Sequence, residues 1–128
     1  MMERHGPELP PGEIITRIKR ALDIEGTHTW EDVVESLVRG ESQIFWNGHG
    51  AWITRVEQAP QARQLVVWIV AGELPGVMDL HPSVEKHAFL MGCTQMIAKA
   101  RFGWKHVAKE YGWKPQAMIF SREIDLNA

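Results

Sequence analysis

The side chains best able to move a proton in this 128-residue chain gather in one region, where Glu73, Asp79, His81 and Glu85 follow a strongly apolar run. Glu57 precedes the same run, Tyr111 is the only tyrosine and Cys93 the only cysteine. A carboxylate or imidazole can take a proton from an attacking group, and a phenol can return one to a departing group. Glu57, Glu73, Asp79 and His81 are therefore the candidate bases. Cys93 is a nucleophile only if a base is paired with it, and its sequence neighbours supply none, so a buried structural thiol is expected. His28, His49, His81, His87 and His106 raise the question of a metal. His81 and His87 do not have the spacing of three or four that places two side chains on one helix face, and there is no second cysteine. No metal site is expected.

Positive charge has one local concentration, made of Lys99, Arg101, Lys105, His106, Lys109 and Lys114. It could meet phosphates, a nucleic acid or an acidic partner. Glu110 and Glu123 balance it, and a solvated helix face is the commoner origin of such a pattern. The formal charge of −2 and pI near 6.3 give no overall basic field, so nucleic acid is not the expected partner. A lone cysteine fits a reducing compartment. No apolar run approaches the ~20 residues that span a bilayer, and the first residues lack the apolar core of a signal peptide. A cytoplasmic protein with no membrane partner is expected. Hydrophobic content of 45% fits one compact domain over 1–128, with a loose arm at 1–9 and a short tail at 125–128.

The elements that must position these groups are organised around Gln64–Ala71. Its six consecutive apolar residues, Leu65–Val70, include four that are β-branched. That run is too continuous for a strand wetted on one face and fits one covered on both sides. Before it, Pro10-Pro11 starts a helix with Ile14, Ile15, Ile18, Ala21 and Leu22 at helical spacing, ended by Gly26. Thr29 with Asp32 reads as a capped start of a second helix carrying Val33, Val34, Leu37 and Val38, stopped by Gly40. Asn47-Gly48 between two strand-like runs signals a hairpin turn with positive φ. Strands at 43–46, 51–58 and 64–71 then form an antiparallel meander. Pro82–Met91 reads as a helix, 94–101 as a short strand, Trp104–Tyr111 as a short helix closed by Gly112, and 114–124 as a last strand. The six tryptophans are expected mainly in the core.

That order resembles the GNAT superfamily of N-acetyltransferases, above all in the string Gly92–Ile124: helix end at a glycine, strand, short helix, Gly-aromatic pair, strand. Here Gly112-Trp113 stands where the family usually has Gly-Phe. The helical hairpin from Thr29 to Gly40, running straight into hairpin strands, is similar to that of small acetyltransferase-like proteins of tailed bacteriophages, some related to internal virion proteins. The resemblance implies an α+β fold with a GNAT-like mixed sheet, an antiparallel meander plus a βαβ crossover, helices on both faces and an N-terminal helical hairpin, without the usual first strand. It implies that 64–71 splays from its parallel neighbour 94–101 to admit the pantetheine arm of acetyl-CoA or CoA along Trp68, Ile69, Val70 and Ala71. It further points to Gly76 for the pyrophosphate loop, and to Arg101, Trp104 and Lys105 for the far end of the cofactor.

The chain departs from that pattern at two places. The phosphate loop Arg/Gln-x-x-Gly-x-Gly/Ala is absent from Gly72–Ser83, and no arginine or lysine occurs from Gln64 to Glu85. The tyrosine that many relatives place four residues before the Gly-aromatic pair is Ala108 here. Tyr111 lies about a turn later, where its hydroxyl points elsewhere. Trp104 either stacks on adenine or packs on the sheet, and packing is the commoner role. The resulting expectation is an acetyltransferase-like phage protein with a degenerate acyl-CoA site, acting by contact in the virion or on a host protein. An active N-acyltransferase and a small nucleic-acid-binding accessory protein are the alternatives.

Overall fold

The structure is a computed structural model that describes residues 8–100 and 102–127. Arg101 and most of the 1–9 arm lie outside the described residues. Helix α1 (Gly12–Glu25) begins after Pro11 and buries Ile14, Ile18 and Leu22 at helical spacing; Gly26 ends it in the left-handed region, its N–H donating to Leu22 O. Helix α2 (Trp30–Val38) opens with a reciprocal capping box. The Asp32 N–H donates to the Thr29 hydroxyl, and the Thr29 N–H donates to the Asp32 carboxylate. Its buried stripe is narrower than the sequence implies: Val33 and Leu37 are covered, whereas Val38 is 68% exposed.

Three strands follow as the expected meander, β1 (Gln43–Trp46), β2 (Gly50–Gln58) and β3 (Arg63–Gly72), and β4 (Gln95–Ala98) adds parallel to β3. The sheet order is β1-β2-β3-β4. The crossover from β3 to β4 passes through a 3-10 turn, Gly76–Leu80, and helix α3 (His81–Leu90). A second 3-10 turn, Phe102–Trp104, leads into helix α4 (Lys105–Glu110). The β1–β2 turn forms where Asn47-Gly48 places it, by a different device. Gly48 does not take positive φ. Instead the Asn47 side-chain oxygen accepts the N–H groups of His49 and Gly50, closing the turn through the side chain.

Both faces of the sheet are covered. On one, α1 and α2 pack Ile14, Ile18, Leu22, Val33 and Leu37 against Ala51, Ile53, Ile69 and Ala71. On the other, Val77, Met78, Val84 and Ala88 pack against Trp52, Leu65 and Val67, with Trp104, Val107 and Trp113 at the margin. The central strand contributes to both cores, as a run without alternation requires. All six tryptophans touch a core, but only Trp52 is fully buried; the rest lie at the margins.

The expected last strand is not there. Residues 113–125 carry no regular structure, and Met118, Ile119, Phe120 and Ile124 are exposed. Alternating apolar residues make a strand only where an edge is available to pair with them, and here none is engaged.

The tightest backbone approach in the sheet is at the β2–β3 end. A Cβ on Gly50 would lie 2.1 Å from Ala71 O and 2.6 Å from Gly72 Cα, whereas one on Gly48 would meet nothing within 4 Å. Gly50→Ala is expected to cost roughly 2–3 kcal/mol by overpacking, and Gly48→Ala to stay within about 0.5 kcal/mol. Urea unfolding of the two variants checks the contrast.

Candidate functional site

A single extra residue in β3 shapes the middle of the sheet. Ile53 pairs with Ile69 and Thr54 with Val67, so Trp68 has no partner on β2 and forms a β-bulge. The parallel ladder to β4 stops at the same level, its last pair being Val67 with Ala98. From Trp68 to Gly72 the β3 backbone is therefore unpaired on the β4 side, and Lys99 and Ala100 continue beyond β4 without regular structure. The two segments lie side by side over 64–67 and 95–98, and the ladder ends where the resemblance places the splay between 64–71 and 94–101. Trp68, Ile69, Val70 and Ala71 line its β3 edge, Ile69 and Ala71 facing the α1–α2 core and Val70 the α3–α4 core.

Trp68 is fixed from several sides. Its Nε1–H donates to Glu25 Oε1 at 3.1 Å, the His28 ring meets it edge-on, and the Arg55 guanidinium lies 5.7 Å from its ring centre. Burial pushes the Glu25 carboxyl up, but hydrogen bonds from Thr27 and Trp68 and the charges of Lys99 and His28 outweigh it, and the net shift is downward. Beside this tryptophan an open, polar cavity of about 430 Å³ lies under α2, with His28, Asp32, Glu35, Arg39 and Arg55 among its lining residues. Sequence reading missed it. Its one signal was a tryptophan inside a β-branched run, and its acids and arginines come from segments that look like ordinary helix surface.

The loop after β3 is packed down on the sheet. Val77 and Met78 are buried, the Trp52 Nε1–H donates to Val77 O, and the Asn47 side-chain amide donates to Gly76 O. A Cβ on Gly76 would sit 2.2 Å from the His49 ring, so glycine here admits that imidazole. Glu73 points outward and pairs with Arg17 at 3.1 Å, while Asp79 is exposed. Glu57 lies at the opposite end of the β2–β3 hairpin, paired with Arg55, and is not brought to this loop.

At the start of α3, His81 is 6% exposed and surrounded by rings. Trp52 and Trp113 meet it edge-on and Tyr111 lies against it at 4.9 Å between ring centres. The Trp113 indole donates to His81 Nε2 at 2.9 Å, so that nitrogen carries a lone pair and the ring proton sits on Nδ1, 3.7 Å from Glu85. This cluster ties the end of α4 to the beginning of α3. Of the sequence candidates, His81 and Tyr111 are thus brought together, with Trp104 packed nearby on the same core and Lys105 exposed at the start of α4. Arg101 is outside the described residues. Among the described residues, no group of three or more His, Cys, Asp or Glu side chains is arranged to hold a metal, and no helix is long and apolar enough to cross a membrane.

With this geometry in view, solved acetyltransferases are the structural likeness. An aminoglycoside acetyltransferase from an uncultured soil metagenomic sample, solved with trehalose, superposes with a TM-score of 0.64 at 10% identity, over 88% of this chain and 87% of that one. A single-substitution variant of a Thermus thermophilus protein gives 0.64 at 16% identity, over 88% and 91%. Glucosamine-6-phosphate N-acetyltransferase from Arabidopsis thaliana gives 0.51 at 14% identity, over 59% of this chain and 56% of that one. The chain has the GNAT acetyltransferase fold. No protein-family model matches the sequence, and no curated protein matches it either.

Burial pushes His81 below the ordinary histidine range, against a smaller upward pull from Glu85, and burial alone pushes His87 down. A folded pKa below the unfolded one means that the unfolded chain binds protons more readily. Stability from these groups is complete above about pH 6.5 and is lost as pH falls through that value and through the lower folded one. The urea midpoint is expected to drop between pH 7.5 and 5, with a smaller drop in His81→Phe; equal slopes would contradict the assignment to His81.

Proposed function

We propose that this chain is an acetyltransferase-like protein of the GNAT fold whose acyl-CoA site has degenerated, and that it acts by contact, in a phage virion or on a host protein. The observation that carries the reading is where the loop amides between β3 and α3 are directed. A pyrophosphate cradle needs N–H groups facing open space at a helix start. Here the N–H of Val77 donates to Glu73 O, that of Met78 to Pro75 O and that of His81 to Met78 O. These donors are spent within the turn, which is itself pressed onto Trp52, Asn47 and His49. The segment from Gln64 to Glu85 has no lysine or arginine of its own, and the Arg17 guanidinium of α1 that reaches the loop is taken up by Glu73 at 3.1 Å and by His49 O. An anion placed there would have Asp79 and Glu85 within a screening length of ~10 Å. The phage setting is supported by the resemblance of the Thr29–Gly40 hairpin alone.

A second reading is favoured by the bulge at Trp68 and the unpaired β3 edge beside it. That edge offers backbone groups to an extended amide-bearing ligand such as the pantetheine arm, with Glu73 or His81 as base and Tyr111 as proton donor. It would make the chain an acyl-CoA-dependent N-acyltransferase.

Calorimetry separates the two. Acetyl-CoA and CoA are expected to give no saturable heat at ligand concentrations up to about 1 mM, corresponding to binding weaker than about −4 kcal/mol. Micromolar binding together with acetyl transfer to an amine would establish the second reading. Pull-downs from infected cells are expected to recover phage particles or one host protein in stoichiometric amount.

A further inference from the structure

Helix α4 and the segment after it hang on a single polar contact. Among the described residues, the bond from the Trp113 indole N–H to His81 Nε2, at 2.9 Å, is the only hydrogen bond that joins 102–127 to the sheet or to helices α1, α2 and α3. No ion pair joins them among the described residues either. What remains is apolar packing, with Trp104, Val107 and Trp113 laid against the margin of the core that holds Trp52, Val77 and Val84.

That contact exists in one protonation state. An indole nitrogen only donates, so His81 Nε2 must keep its lone pair. A proton on Nε2 sets two N–H groups against each other in a site where His81 is 6% exposed, and a buried donor left without an acceptor is costly. Of the elements packed on this imidazole, β2 presents Trp52, the end of α4 presents Tyr111 and Trp113, and α3 presents Glu85. Glu85 is the one charged partner within ion-pair distance among the described residues, 3.7 Å from Nδ1, and its side chain is 67% exposed. A charged ring therefore has its acceptor on the water side of α3, and a neutral ring has its donor on the α4 side.

We propose that His81 is a proton-operated latch: protonation of Nε2 detaches the Trp113 indole, and α4 with the segment after it comes away from α3 while the sheet stays folded. Burial holds the imidazole below the ordinary histidine range against the smaller upward pull of Glu85, so the latch is closed at neutral pH and opens in acid. Opening uncovers the Trp52, Val77 and Val84 margin and gives the chain an apolar surface that depends on pH. This control does not depend on which reading of the split holds.

Nuclear magnetic resonance on the full chain tests this, following the His81 ring, the Trp113 indole proton and amide exchange as pH falls from about 7.5 to about 4.5. The indole proton is expected to lose protection at the His81 midpoint. Amides of 105–113 are expected to lose protection about tenfold or more while those of 51–58 and 63–72 keep theirs. His81→Gln, whose amide oxygen accepts the indole N–H without titrating, is expected to hold α4 closed throughout, and Glu85→Gln to move its release to lower pH. An indole that stays protected after His81 has titrated overturns the proposal. Loss of protection in α4 and the sheet at one midpoint overturns it too, since that is global acid unfolding. Release at an unchanged pH in either variant overturns it as well, and in His81→Gln it assigns the response to His87 or His106. If His81→Gln does not fold, the wild-type midpoints decide.

Discussion

One residue too many in the central strand governs the arrangement of everything packed around it. Because side chains alternate along a strand, an inserted residue reverses which face the following ones occupy. Leu65 and Val67, before the bulge, face the α3–α4 core; Ile69 and Ala71, after it, face the α1–α2 core. The same strand therefore anchors both layers, each with its own half. The bulge also coincides with the end of the parallel ladder, so the split in the sheet and the switch of face share one cause.

The tryptophans hold the layers to that strand. Four of the six, Trp46, Trp52, Trp68 and Trp113, pack an apolar ring against a core while the N–H reaches a fixed acceptor, which is how an indole is accommodated away from water. Trp52 ties β2 to the loop after β3 through Val77 O, Trp68 ties β3 to the end of α1 through Glu25, and Trp113 ties the end of α4 to α3 through His81. Trp46 does the same for the start of the described chain, donating to Glu8 O. These bonds join elements far apart in sequence.

The fold was largely legible in the sequence because its signals are local. The β-branched run, the Thr29–Asp32 box and the glycines after α1, α2, α3 and α4 each act over a few residues, and the structure repeats them at Gly26, Gly40, Gly92 and Gly112 with positive φ. What escaped was non-local. The bulge at Trp68 depends on the register against β2, which no window along one strand contains. The His81 cluster draws on β2, α3 and the segment after α4. The segment 114–124 has the composition of a strand, yet strand formation also needs a partner edge, and composition says nothing about where that edge is.

This bears on how much the split can say about chemistry. A slot between parallel strands invites a catalytic interpretation when it exists for no other reason. Here removing the bulge would turn Ile69 and Ala71 away from α1 and Val70 toward it, so that both cores would lose their packing. Packing alone is enough to retain the slot. Chemistry would require free amides and cations separately, and the core does not supply them: the N–H groups of Val77, Met78 and His81 are engaged within the turn, and the Arg17 guanidinium is paired with Glu73. The slot by itself therefore speaks for packing, and a fold alone does not carry an activity.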